Sequence, residues 1–511
     1  MISISVEEIC TATNGVLKSD YQSLVDCDSV IINNVSTDTR TIKSGDLFIA
    51  LKGPSFDAHK LLPNAIEKGA SVLLVEKSSD IFVDKKSIVI EVDDTRIALG
   101  LLSSFVKMKK VKKNNAGLKC AAITGSNGKT TCKELLSSIL ASHCGSADKV
   151  LATAGNFNND IGLPLTLLRI EEQHEYAVVE LGANHIGEIA YTSALAKPDV
   201  ALVNNVMPAH LEGFGSLEGI ANAKSEIWSS LTDSGTAIVN LDANFAEKFV
   251  QLLTDKKQPF LSFSTHSQET TDATADVFAT GITFNDVGQA RFTLNAKASI
   301  FSVQDISSQI KDEPSDKTSN QSIQLKLNLP GKHNVSNALA ASSMALALGC
   351  SLDDIKQGLD NVKPVAGRVN VELLNPTLTV IDDTYNANSA SVKAGIDLLA
   401  QHQAQRVLIC GDMGELGAYA EAEHQAIGEY AQQHHIDRLF TVGRLSQLAT
   451  NAYNAASQNT CAVHFSDKES LKLAVEDFLS NEASKVVVLV KGSRSAKMEE
   501  IVAFIKQKHG A

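Results

Sequence analysis

The chain has 511 residues, of which 44% are hydrophobic and 21% charged, an ordinary globular balance with length for about three or four domains. Its formal net charge of -13 opposes a general affinity for nucleic acid or anionic membrane, though a few residues suffice for a local phosphate pocket. The start, MISISVEEIC, lacks a basic stretch leading into a long apolar core, and no apolar run approaches the roughly 20 residues that span a bilayer, so a cytoplasmic location is expected.

The first hundred residues mix short strands and helices, as in SVIINNVSTDTR followed by the strand-like DLFIAL. The basic run 107–115, KMKKVKKNN, reads as a solvated linker, since no aromatic residues interleave with it as a nucleic-acid surface would require. A short apolar strand, KCAAIT, then meets a glycine-bearing turn and the stretch KTTCKELLSSILASH, where Leu135, Leu136, Ile139 and Leu140 recur at helical spacing. Strand-like runs follow at KVLAT, YAVVEL, DVALVNNV and TAIVN with helical segments between them, which implies a parallel sheet covered on both faces. Residues 303–322 are polar and serine-rich, and their flanks alternate as strands do, so they read as a surface insertion at the tip of a β-hairpin. A helical stretch follows Pro330-Gly331. The pattern restarts near Lys363-Pro364, and LTVID, RVLIC, RLFTV, AVHF and VVVLVK alternate with helical segments as a second α/β unit of nucleotide-binding shape. The fold expected is α/β in three domains: a small α/β domain (1–112), a central P-loop ATPase-like domain with a parallel sheet (113–364) and a Rossmann-like domain (365–511). The eight cysteines are scattered without a CxxC pair, which favours reduced, buried thiols over a zinc site or a nucleophile.

Gly125-Ser126-Asn127-Gly128-Lys129-Thr130-Thr131 joins the strand KCAAIT to its helix, an arrangement that binds anions. Glycines let backbone N–H groups converge on phosphate, and the helix start adds its positive end. Lys129 would reach the β and γ phosphates of a nucleotide, and the Thr130 hydroxyl would ligate Mg²⁺. The position five before the Gly-Lys pair is Ile123, so the full Walker A spacing is not met. Glu180 finishes an apolar strand, where a carboxylate either caps the strand or faces a site as a hard Mg²⁺ ligand.

The shortened loop TGSNGKTT resembles that of the Mur ligases and their relatives, the folylpolyglutamate synthetases, which activate a carboxylate with ATP. The resemblance extends to AHLEGFGSLEGIANAKSEI, where it implies that His210 touches a second Mg²⁺ and that Lys224 carries a CO₂-derived carbamate able to ligate metal. It implies adenine contacts for Asn334 and Asn337 in PGKHNVSN, a γ-phosphate contact for Arg368 in the Gly-Arg pair, and a ribose contact for Asp383. Within the family, TAGNFNNDIG followed by Pro164 resembles the peptide-side loop of the branch that adds D-alanyl-D-alanine to a UDP-N-acetylmuramoyl-tripeptide, which implies substrate roles for Asn158 and Asn159. Tyr385, Asn386 and Asn388 would lie near the second substrate, although Ser389 stands where that branch usually has proline. Ser36, Thr39 and Arg40 resemble its UDP-binding region. No DNPR segment, expected of the diaminopimelate-adding relative, is found. The implied enzyme is a monomer that uses ATP and a pair of Mg²⁺ ions on small-molecule substrates, with no nucleic acid and no membrane insertion. Its catalytic residues would be Lys129, His210, Lys224 and Arg368. A non-catalytic nucleotide-binding protein could keep Lys129 yet dispense with Glu180, Lys224 and Arg368, all of which are present.

Overall fold

The apolar runs of the middle of the chain pair as one sheet. Strands Val150–Ala152, Tyr176–Glu180, Lys119–Thr124, Val200–Val203, Thr236–Asn240, Phe260–Ser264 and Val277–Phe284 lie side by side in that order, each parallel to the next. The computed structural model describes residues 1–18, 30–77, 88–113, 117–208, 211–266, 275–302, 320–457 and 461–510. Tyr176–Glu180 and Val200–Val203 are buried at every position, as strands covered on both faces must be. Strands Gln289–Ala296 and Gln321–Pro330 extend the sheet as an antiparallel pair with Ala296 opposite Gln321, so the hairpin expected around the polar insertion is present. Most of the insertion itself, 303–319, lies outside the described residues.

Helices Lys129–Cys144, His333–Leu348 and Leu352–Asn361 pack on one face of this sheet. The opposite face carries helices Gly162–Leu167 and Glu188–Ala196, and over them lies Thr95–Lys113. That last helix approaches closely because Gly100 has no side chain: a Cβ there would sit 2.2 Å from the Tyr191 hydroxyl. Strand Lys119–Thr124 has Tyr176–Glu180 on one side and Val200–Val203 on the other. The chain therefore reverses direction across the sheet at its carboxyl end, which opens a crevice where parallel α/β sheets bind ligands.

The amino-terminal sheet has the order Val16–Leu17, Ile88–Val92, Val72–Glu76, Leu47–Ile49 and Val35–Ser36, parallel except for the first pair. Its apolar face merges with the central core: Ile49, Leu74, Leu99 and Leu102 belong to the same buried cluster as Leu163, Val179 and Leu195. The carboxyl-terminal sheet runs Asn370–Asn375, Leu378–Asp383, Val486–Lys491, Gln405–Gly411, Arg438–Val442 and Ala462–Phe465, parallel except for its first pair. It has cores of its own on both faces.

The basic run corrects the expectation of a solvated linker. Residues 107–113 are the last turns of helix Thr95–Lys113, and Lys107 and Lys110 are each only 3% exposed. The Lys107 ammonium donates to Ala196 O and, at 2.8 Å, to Lys197 O, the carbonyls that end helix Glu188–Ala196. Lys110 donates to Glu172 O, and Lys109 pairs with Glu8 at 2.6 Å. The lysines are spaced to bury their stems and cap a helix C-terminus, where a cation is favoured. Replacing Lys107 by Met leaves those carbonyls without a donor and is expected to cost about 1–3 kcal/mol, read from the urea midpoint at unchanged slope.

Candidate active site

The crevice is a cavity of about 1090 Å³ between the central and carboxyl-terminal sheets. Its floor is the loop Ser126–Thr131, which enters helix Lys129–Cys144 through Gly128 at φ +78°. A side chain at Gly128 is excluded twice. The left-handed backbone disfavours it, and a Cβ would lie 2.5 Å from Asn337 Oδ1 and 2.6 Å from Asn204 Nδ2. These two amides and Asn205 brace the loop. Asn204 Nδ2 donates to Asn127 O at 3.1 Å and to Asn337 Oδ1 at 3.0 Å, while Asn205 Oδ1 accepts from Asn127 N at 2.9 Å. Asn337 Nδ2 donates to Asn334 Oδ1, and Asn334 Nδ2 to Pro330 O. Asn334 and Asn337, read from sequence as adenine contacts, line the cavity and also shape the phosphate loop from beneath.

Lys129 is folded back on its own loop, with Nζ donating to Gly125 O at 2.7 Å. Burial pushes its ammonium below the usual lysine value, and Arg368 adds to this, while Glu180 and Glu415 oppose it. Thr130 donates its hydroxyl to Glu180 Oε2 at 3.2 Å. Glu180 is 2% exposed, and its other oxygen, Oε1, makes no hydrogen bond. A hydroxyl beside a buried carboxylate with an unsatisfied oxygen is a hard-oxygen donor set, which fits Mg²⁺ bound with substrate phosphates and water. Among the described residues no group of three or more His, Cys, Asp or Glu side chains is assembled for a metal. His210 lies outside the described residues. Lys224, on helix Leu217–Ser225, is 4% exposed and lines the cavity. Burial, helped by Lys129, pushes its ammonium well below the usual lysine value.

The opposite wall comes from the carboxyl-terminal sheet. The Arg368 guanidinium stacks 4.1 Å from the Tyr385 ring centroid, and its Nε has no hydrogen-bond partner. Asp383 ends strand Leu378–Asp383 and pairs with the buried ammonium of Lys491, which also donates to Asn386 O at 3.1 Å. Asn388 caps helix Ser389–Ala400 by accepting from Ser391 N at 2.9 Å. The same amide donates to Asn127 Oδ1 at 2.7 Å, a direct bridge between this wall and the phosphate loop. Ser389 follows as the first helical residue, a position that suits proline but does not demand it.

Asn158 and Asn159 line the cavity on the side of the central sheet. Asn159 Oδ1 accepts from Gly162 N at 2.8 Å, and Asn158 O accepts from Gly182 N at 2.8 Å. Ser36, Thr39 and Arg40 stand apart: none lines this cavity. They form a turn in which Ser36 Oγ donates to Asp38 O, and the Arg40 guanidinium holds the Asp38 carboxyl down to about 2. Sequence reasoning missed Lys133, Glu134 and His333. Glu134 and His333 line the cavity, and burial pushes the His333 imidazole down, which favours its neutral form. Lys133 carried a readable signal, a charged residue inside the apolar stripe of its helix, between Cys132 and Leu136. Burial pushes the Cys120 thiol up to about 11, so it is a poor nucleophile at neutral pH.

A phosphate loop facing a buried carboxylate, with an arginine on a separate wall, is the arrangement of an ATP-using site. Comparison with known proteins agrees with that class. Residues 31–107 match the model of the Mur ligase family catalytic domain, 123–345 the Mur ligase middle domain, and 367–494 the Mur ligase glutamate ligase domain. The chain belongs to the Mur ligase family, a family of amide-forming ligases. It is 40% identical to the UDP-N-acetylmuramoyl-tripeptide–D-alanyl-D-alanine ligase of Escherichia coli K12, over 99% of both chains. A crystal structure of MurF from Acinetobacter baumannii superposes with a TM-score of 0.84 at 34% identity, covering 99% of each chain. Another structure from that organism, a UDP-N-acetylmuramoylalanyl-D-glutamyl-2,6-diaminopimelate–D-alanyl-D-alanyl ligase, gives a TM-score of 0.81 at 33% identity, also covering 99% of each chain.

Gly128→Ala is expected to strain the loop by about 1–2 kcal/mol and displace Asn337 or Asn204, lowering ATP affinity by at least about tenfold in calorimetric titration. Asn388 separates two roles. Asn388→Ser keeps a helix cap but loses the bridge to Asn127, so small-angle scattering should show a more open molecule at nearly unchanged stability. Asn388→Ala should add a loss of about 1 kcal/mol from the missing cap.

Proposed function

We propose that this chain is an ATP-dependent ligase that joins D-alanyl-D-alanine to UDP-N-acetylmuramoyl-tripeptide in peptidoglycan precursor synthesis. The observation that carries the reading is the pairing, across one cleft, of the Lys129–Thr130–Glu180 cluster with Arg368, in a chain 40% identical over 99% of its length to a ligase of that name. In the proposed mechanism, the C-terminal carboxylate of the tripeptide attacks the γ-phosphorus of ATP, the bond to the ADP oxygen breaks, and an acyl phosphate forms. The amine of D-alanyl-D-alanine then attacks the acyl carbon, loses a proton, and inorganic phosphate leaves. Activation is required because a carboxylate is a poor acyl donor toward an amine.

The residue roles belong to the same proposal. The loop N–H groups and Lys129 hold the phosphates, and Arg368 offsets charge that spreads over the transferring phosphoryl oxygens, so catalysis is mainly positional and electrostatic. Thr130 and Glu180 would hold Mg²⁺, with His210 and Lys224 serving a second ion. The metal supplies charge neutralisation at the phosphates when bound. Asn334, Asn337 and Asp383 face the nucleoside, Asn158 and Asn159 the peptide, Tyr385, Asn386 and Asn388 the dipeptide, and Ser36, Thr39 and Arg40 the UDP group. Residues 1–112, 113–364 and 365–511 act as UDP-substrate, ATP and closing domains. Closure excludes water, which would otherwise hydrolyse the acyl phosphate. A buried Lys224 amine beside Lys129 supports a CO₂-derived carbamate there, since the modification replaces a second cation with an anion. The third peptide residue is diaminopimelate, as in the name of the second Acinetobacter ligase. The enzyme is a cytoplasmic monomer, testable by sedimentation; among the described residues no helix is long and apolar enough to cross a membrane.

Phosphate release from ATP, Mg²⁺ and the diaminopimelate tripeptide should depend on D-alanyl-D-alanine and yield the pentapeptide. Dipeptide-independent release, or equal preference for a lysine tripeptide, contradicts the respective assignment. Lys129→Ala should lower kcat by about 10²–10³. Activity should fall in CO₂-depleted buffer and return with bicarbonate, and Lys224→Ala should be inactive in both.

A further inference from the structure

Lys133 is a buried cation beside the cleft that the mechanism above does not use. Lys133 lies one helical turn beyond Lys129 and is only 3% exposed, a depth at which lysine is rare unless its ammonium is met on several sides. Its Nζ donates to Thr153 O at 2.8 Å, pairs with Glu134 Oε1 at 2.6 Å, and stands 3.9 Å from Glu180 Oε1. Thr153, itself 1% exposed, accepts at its hydroxyl from Glu180 N at 3.0 Å. Lys133, Thr153 and Glu180 thus close a ring. Thr153 is the first residue of the loop that carries Asn158 and Asn159, and Glu180 is the carboxylate that receives the Thr130 hydroxyl.

We propose that Lys133 is a positioning residue that ties the base of the asparagine loop to the Glu180 carboxylate, so that the peptide side and the phosphate side of the cleft keep a fixed separation. An ammonium has three donors and no acceptor, so one group can serve the Thr153 carbonyl and the Glu134 carboxylate while its charge still reaches Glu180. Glu180 spends Oε2 on Thr130, and Oε1, which makes no hydrogen bond, has the Lys133 ammonium at 3.9 Å, with Lys129 a second cation whose field the carboxylate feels. Without that charge a buried carboxylate loses the cation nearest its unbonded oxygen, and Thr153 O loses its donor. In-line transfer requires reacting atoms held near contact distance, so a floor that fixes both sides contributes through geometry rather than by touching the substrate. The inference rests on the ligase reading for its substrates, whereas the ring itself does not.

The test uses the full chain with Lys133→Met, Lys133→Arg and Thr153→Val, the last removing only the hydroxyl link to Glu180. Calorimetry measures the affinity for UDP-N-acetylmuramoyl-tripeptide without nucleotide, and for ADP with and without Mg²⁺. Steady-state assays give kcat and KM. Lys133→Met should weaken tripeptide binding roughly tenfold, remove most of the Mg²⁺-dependent gain in ADP affinity, and raise the tripeptide KM more than it lowers kcat. Lys133→Arg, which keeps the cation, should restore most of both affinities. A folded Lys133→Met with wild-type affinities, or one that loses kcat alone in proportion to the folded fraction, overturns the proposal. If Lys133→Met does not fold, Thr153→Val decides: both affinities must fall, and unchanged values overturn it. A wild-type chain without dipeptide-dependent phosphate release would sink the ligase reading instead, and the Mg²⁺-dependent ADP affinities would still judge the ring.

Discussion

The site depends on a close approach of backbone to side chains at Gly128. The loop must turn into its helix within one residue, at a left-handed φ, with two buried amides pressed against the spot where a side chain would be. Only then do the loop N–H groups and the helix start point into one cavity. The bracing amides come from distant parts of the chain: Asn204 and Asn205 follow a central strand, and Asn337 lies in the helix that packs beside the loop's own helix. Sheet order, helix packing and loop shape are therefore set together.

The second wall is bound to this floor more lightly. The carboxyl-terminal sheet has complete cores of its own, and its reach to the phosphate loop runs through the Asn388 amide. Arg368, held over Tyr385, is carried on that side. An enzyme that must admit two substrates and then exclude water needs a soft joint, and a polar bridge supplies one, because its hydrogen bonds exchange with water at small net cost.

Much of this was legible in the sequence. The apolar runs and their helical partners declared a parallel sheet, since strands buried on both faces have little room for polar residues. Loop residues 126–131, with Glu180, Lys224 and Arg368, were named from strand ends and from resemblance, and the fold brings them to one cavity. The basic run 107–113 misled because composition cannot distinguish a solvated lysine from one whose stem is buried and whose ammonium caps another helix. Lys133 showed locally as a charge in an apolar stripe, but its role stayed hidden because its partners, Thr153 and Glu180, come from two other strands' ends. The Asp383–Lys491 pair spans more than a hundred residues and was equally hidden. Ser36, Thr39 and Arg40 were named from resemblance alone, and they sit apart from the cleft.

The shared apolar core between the amino-terminal and central sheets has a thermodynamic consequence. Leu99 and Leu102 cannot leave Leu163 and Leu195 without exposing both sheets' interiors, so these parts melt together. The carboxyl-terminal sheet, closed on itself, can unfold or refold as a separate cooperative block. A chain with three sheets of substantial size therefore behaves as two units in the energetics of folding, and the border between those units runs through the cavity itself.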